Sequence, residues 1–213
     1  MAQITINKPS SSWWIATFSN PPINLIDPDT IGELQDLVTA LENDAEVKVV
    51  VFRSADPDFF MAHWDVLADK AKVAAMPPGP TGMHPWGDVL VRLARAPVAS
   101  IAEIRGRARG AGSELALACD MRFASRERAI LGQFEVGMGA IPGGNPMARL
   151  AGLMGRGRGL EVILAPTIFR QTSPNAMATS TTPCLTMKSR HLWIPSLADW
   201  HRSKSMRWLA PRR

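Results

Sequence analysis

The stretch from Glu103 to Asp120, E-I-R-G-R-A-R-G-A-G-S-E-L-A-L-A-C-D, limits what this chain can become more than any other. Apolar residues from Pro97 to Ile104 predict a buried strand, Gly106, Gly110 and Gly112 allow a tight turn, and Leu115, Leu117 and Ala118 begin a helix. A helix entered this way presents backbone N–H groups with no partner inside the helix, and its aligned peptide dipoles make that end electropositive. An oxyanion placed there is stabilised, and Glu114 sits at its edge. Taken alone, the same pattern also suits an ordinary glycine turn with a glutamate complementing the helix dipole.

A second stretch, A-I-L-G-Q-F-E-V-G-M-G-A-I-P-G-G-N-P-M-A-R-L over 129 to 150, reads as a short strand ending in Gln133-Phe134-Glu135, then a Gly/Pro loop and another helix. Together the two segments resemble the enoyl-CoA hydratase/isomerase (crotonase) superfamily. Its signature pairs N-G-x-A-x-G-G-G-x-E-L-A-L-x-C-D with a later F-G-x-P-E-x-x-x-G-x-x-P-G-G. Pro21-Pro22-Ile23-Asn24, the strand from Val49 to Phe52, and F-F-M-A-H-W-D-V from Phe59 to Val66 follow in family order, so the resemblance covers about residues 3–164.

That resemblance implies an α/β fold, a crotonase-like spiral of β-β-α repeats in two sheets. In the family, C-terminal helices cover the pocket and build a trimer. This chain departs there. Residues 1–164 carry 16 Lys/Arg against 18 Asp/Glu, whereas 165–213 carry 8 against the single Asp199, and all 16 glycines lie at or before Gly159. The expectation is a crotonase-like core over 1–164 and an unmatched basic tail over 165–213. The tail lacks the helical trimerisation region and is read as irregular, the product of a reading-frame shift near codon 165. The competing reading is a natural basic tail for an acidic partner.

The chemistry follows from the resemblance. Adding or removing a proton or nucleophile beside a thioester puts negative charge on its carbonyl oxygen, and two preorganised N–H donors answer it. By position the donors are the amides of Ala111, where the family has glycine, and Trp64, which follows His63 where the family has another glycine. Glu114 and Glu135 match the two glutamates of family hydratases, one orienting and deprotonating water, the other exchanging a proton at the α-carbon. Ala62, His63, Asp65, Gly110, Gly112, Pro142 and Gly143 are the remaining expected substrate contacts, and Met76, Met83 and Trp86 could touch the acyl chain or simply pack.

The implied activity is hydration of a 2-enoyl-CoA. Isomerase, acyl-CoA hydrolase and decarboxylase chemistry on the same scaffold, and an inactive truncated member, are the alternatives. No cofactor is implied beyond the coenzyme A of the substrate. A family-like homotrimer or hexamer is the implied assembly, in tension with the tail.

Composition sets outer bounds. At 213 residues and 46% hydrophobic content the chain suits one sizeable core. The formal charge of +5 resides in the tail, which argues against a nucleic-acid-binding face. Met1 to Ser12 lacks a basic start followed by an apolar run, and no stretch approaches the roughly 18 apolar residues of a membrane span, so a cytoplasmic location is expected. Cys119, Cys184 and the four His show no metal-ligand spacing. Arg105, Arg107 and Arg109 alternate on one side of an extended segment, as a solvated rim or a lure for phosphates, the rim being favoured.

The remaining pattern predicts strands at Gln3–Asn7, Trp13–Phe18 and Val47–Phe52, and helices at Pro28–Asn43, Asp65–Ala75 and Pro85–Arg95. A Pro/Gly loop over Met76–Gly82 separates the last two helices.

Overall fold

The computed structural model describes residues 2–164 and the backbone of residues 169–170. The expectations for the tail therefore lie outside the described residues, apart from a two-residue strand at Phe169–Arg170.

The strands form two sheets, and from Val49 to Gly132 successive strands alternate between them. β1 (Ile4–Ser10), β2 (Trp13–Phe18), β3 (Val49–Ser54), β5 (Ala99–Ile104) and β7 (Met121–Ala124) form a five-stranded sheet in the order β1-β2-β3-β5-β7. β4 (Phe59–Met61), β6 (Arg107–Arg109), β8 (Ile130–Gly132) and β9 (Phe169–Arg170) form the other, in the order β4-β6-β8-β9. Pairing is parallel except for β1 with β2 and β8 with β9. From β3 to β8 each turn of the chain gives one strand to each sheet, the expected spiral of β-β-α repeats.

Helices close the turns. α1 (Pro28–Asn43) begins where the sequence predicts, because the Asp27 side chain accepts from the Thr30 N–H, Thr30 reaches back to the Asp27 N–H, and Pro28 occupies the first helical position. Its Ile31, Leu34, Val38 and Leu41 are fully buried. They join Phe18, Phe52 and Phe60 in the main core, where Phe18 stacks on Phe52 and meets Phe60 edge-on.

α3 (Pro85–Leu93), α4 (Ala111–Ala118), α5 (Pro146–Met154) and α6 (Arg156–Leu164) follow. α4 is buried along its whole length, which explains its near-uniform apolar sequence.

Several element boundaries differ from the sequence reading, those of β1, α3 and β5 by one to three residues. The helix anticipated from Asp65 starts five residues later as α2 (Lys70–Ala75), because Asp69 caps it by accepting from the Ala71 and Lys72 N–H groups, while the Asp65 side chain accepts from Leu67 N–H in a turn. β8 stops at Gly132, before Gln133-Phe134-Glu135, its carbonyl accepting the last ladder bond from the Gly110 N–H; Glu135 opens a 3-10 turn (Glu135–Met138). β3 runs Val49–Ser54, two residues beyond its expected start and end.

Candidate active site

The N-terminus of α4 is where the sequence places it, with Glu114 in its first turn. Gly110 precedes it with φ 50° and ψ −125°, a backbone conformation open to glycine, and no side chain caps the helix. The Gly110 N–H is spent on the Gly132 carbonyl, and the first bond within the helix runs from Glu114 N–H to the Gly110 carbonyl. The Ala111 N–H meets no acceptor among the described residues. Ala111 has ordinary negative φ, so its methyl adds no backbone strain where the family has glycine.

The second amide is set by a clamp on its neighbours. Ile26 N–H donates to the His63 carbonyl at 2.9 Å, and Asp65 N–H donates to the Ile26 carbonyl at 2.8 Å. A trans peptide holds its N–H opposite its C=O, and the Trp64 N–H shares a peptide with the His63 carbonyl. It therefore faces away from Ile26, and no acceptor among the described residues takes it. One register step earlier, Ala62 N–H is bound by the carbonyl of Asn24, whose own amide is locked by Ser54 and the Phe59 carbonyl. The Pro21–Asn24 stretch thus serves as scaffold for the Trp64 segment.

Gly112 brings the start of α4 against the end of β4. A Cβ built there would lie 2.2 Å from the Met61 carbonyl oxygen, so only glycine lets α4 dock this closely on the end of β4.

Trp64 and Ala111 line a cavity of about 1230 Å³, together with Glu114, Glu135, His63 and Gly143. Ala62, Asp65, Gly110, Gly112 and Pro142 lie outside its lining. The Trp64 side chain packs against the main core, and the His63 ring is tied to the Trp64 carbonyl through Nδ1 and meets Phe134 edge-on at 5.5 Å.

Glu114 is 2% exposed. Its Oε2 accepts from Trp86 Nε1 at 2.7 Å and its Oε1 from the Gly144 N–H at 2.8 Å. Burial pushes its carboxyl above the ordinary range, opposed by those two donors and by the Arg149 guanidinium. Glu135 is half-buried and also raised, first by burial and then by the charge of Glu114, against its own backbone N–H. With its amide nitrogen toward Glu135, the buried Gln133 donates to both carboxylate oxygens, at 3.1 and 2.9 Å, and its oxygen accepts from Ser113 Oγ at 3.3 Å. A water between two such carboxylates could lose a proton to one while the other holds it in place.

Sequence reasoning missed this supporting layer. Trp86 was read as an acyl contact or packing residue, Gly144 only as the end of the P-G-G motif, and Arg149 and Ser113 carried no signal. Arg105 pairs with the buried Glu103, while Arg107 and Arg109 lie over the rings of Phe59 and Phe134, so the three do not form a row aimed at one ligand. Met83 lines the cavity, whereas Met76 packs on the core. Among the described residues no three His, Cys, Asp or Glu side chains could hold a metal ion together, and no helix is long and apolar enough to cross a membrane.

The chain belongs to the enoyl-CoA hydratase/isomerase family, whose pattern it matches over residues 10–173. It is 35% identical over 146 residues to human mitochondrial methylglutaconyl-CoA hydratase, an alignment covering 68% of this chain and 42% of that protein. With a short-chain-enoyl-CoA hydratase of Clostridium acetobutylicum it shares 32% over 165 residues, covering 76% and 57%. Among solved structures it superimposes on a candidate enoyl-CoA hydratase from Streptomyces avermitilis with a TM-score of 0.77 at 34% identity, covering 84% of this chain and 65% of that one. The chain spans about half the length of the curated relatives it matches.

Proposed function

We propose that this protein binds an acyl-CoA thioester with its carbonyl oxygen between the Trp64 and Ala111 N–H groups, and hydrates a 2-enoyl-CoA. The observation that carries the reading is the convergence on one cavity of two unclaimed backbone donors and two carboxylates, Glu114 and Glu135. Negative charge that develops on the thioester oxygen during attack would meet donors already in place, each lowering the barrier by about 3 to 4 kcal/mol. Water held at Glu114 would add to the β-carbon, and Glu135 would exchange the proton at the α-carbon. The hydratases named among its relatives support the hydration reading.

A spectrophotometric assay of 2-enoyl-CoA hydration tests it. Glu114→Gln is expected to lower kcat by roughly 10²- to 10⁴-fold, the usual contribution of a positioned acid or base. Undiminished turnover in that variant would remove Glu114 from the chemistry.

A further inference from the structure

The carboxylate of Glu114 is oriented by groups far from its own helix. Trp86 stands in the first turn of α3, started by Pro85, and is 7% exposed with its ring in the main core. Its Nε1 reaches across to Glu114 Oε2 at 2.7 Å, while Oε1 is held from another side by the N–H of Gly144, ahead of α5. Gly144 comes so close that a Cβ there would lie 2.4 Å from Oε2. A carboxylate pinned on both oxygens by two different elements has little freedom to rotate.

Resting on the hydration reading above, we propose that Trp86 is a positioning residue, whose indole N–H fixes the Glu114 carboxylate in the orientation that receives a proton from the attacking water. Packing alone does not require an indole here. Val89, Leu90 and Leu93 on the same helix face fill the core with plain hydrocarbon, and a phenyl ring would serve as well. What a phenyl ring cannot do is donate to a buried carboxylate, which loses water's hydrogen bonds and needs a replacement. The charged groups that couple to Glu114 are Arg149 from α5 and Glu135 from the 3-10 turn, and His63, His84 and Arg95 line the same cavity.

The test is Trp86→Phe, alone and combined with Glu114→Gln. The expected result is a fall in kcat of roughly tenfold to a hundredfold, the effect of deleting a hydrogen bond to a charged group, with KM little changed. The acid limb of the kcat/KM profile moves to higher pH, because the lost donor had favoured the ionised form of the base. The Glu114 carboxyl, followed by carbon NMR without substrate, titrates higher in the same variant. The double variant is no slower than Glu114→Gln, since Trp86 acts through Glu114.

An unchanged titration and acid limb, or losses that multiply in the double variant, would overturn the proposal. If Trp86→Phe does not fold, benzothienylalanine at position 86 keeps the ring's shape without the N–H and carries the same test. Wild-type protein that hydrates no 2-enoyl-CoA would end the hydration reading, whereas the carboxyl titration would still decide whether Trp86 acts on Glu114.

Discussion

Glu114 and Glu135 are each raised by burial, and Glu135 further by the charge of its neighbour, so the site holds two carboxylates at some expense of stability. The sign of that expense is fixed. A carboxyl whose folded pKa lies above its ordinary 4.5 stabilises the fold fully only below 4.5, and that contribution disappears as pH rises through the raised value. Glu135→Gln cannot ionise and can still accept from Gln133. Its stability relative to the parent is therefore expected to increase from about pH 4 to about pH 7.5, read as a widening gap in urea midpoints. A gap that stays constant or narrows over that range would mean Glu135 is not raised in the folded protein. At this scale the two carboxylates that line the cavity were legible, because each sits in a local motif. Their partners were not: Trp86 and Glu114 are 28 residues apart, and no local pattern encodes a contact between separate helices.

The fold's elements place the two amides by separate means, a clamp of Ile26 on residues 63 and 65 and the docking of α4 on β4. The second depends on one atom that is missing. Gly112→Ala would drive a methyl into the Met61 carbonyl at 2.2 Å and push the start of α4 away from the Trp64 segment. Overpacking of this kind is expected to cost about 1 to 3 kcal/mol in urea unfolding, and hydration should fall far more than stability does because the two donors separate. Equal activity in a stable Gly112→Ala protein would show that the donors need not stay together. The elements themselves were readable wherever one local rule ruled alone. α1 carries its cap, its proline and its apolar stripe within 17 residues, and its boundaries match the sequence reading. α2 was misjudged where two rules competed, with Asp69 capping later than the apolar pattern suggests, and β8 ends sooner than its sequence implies, with a 3-10 turn opening at Glu135.

Across the whole molecule, alternation of strands between two sheets is what carries distant loops to one place. β4 and β6 pair in parallel, so the segment after Met61 and the start of α4 after Arg109 leave the same edge region together. The Glu135 turn follows β8, the next strand in that sheet. The cavity is thus a property of the spiral rather than of any one loop, and its large volume suits a thioester with its acyl group. A structure of the protein with acetoacetyl-CoA, whose enolate resembles the intermediate of attack, tests the central claim most directly. The thioester oxygen should lie about 2.7 to 3.1 Å from both the Trp64 and Ala111 nitrogens, with Glu114 beside the acyl carbons. An oxygen bound by only one of these amides, or by neither, would contradict the account.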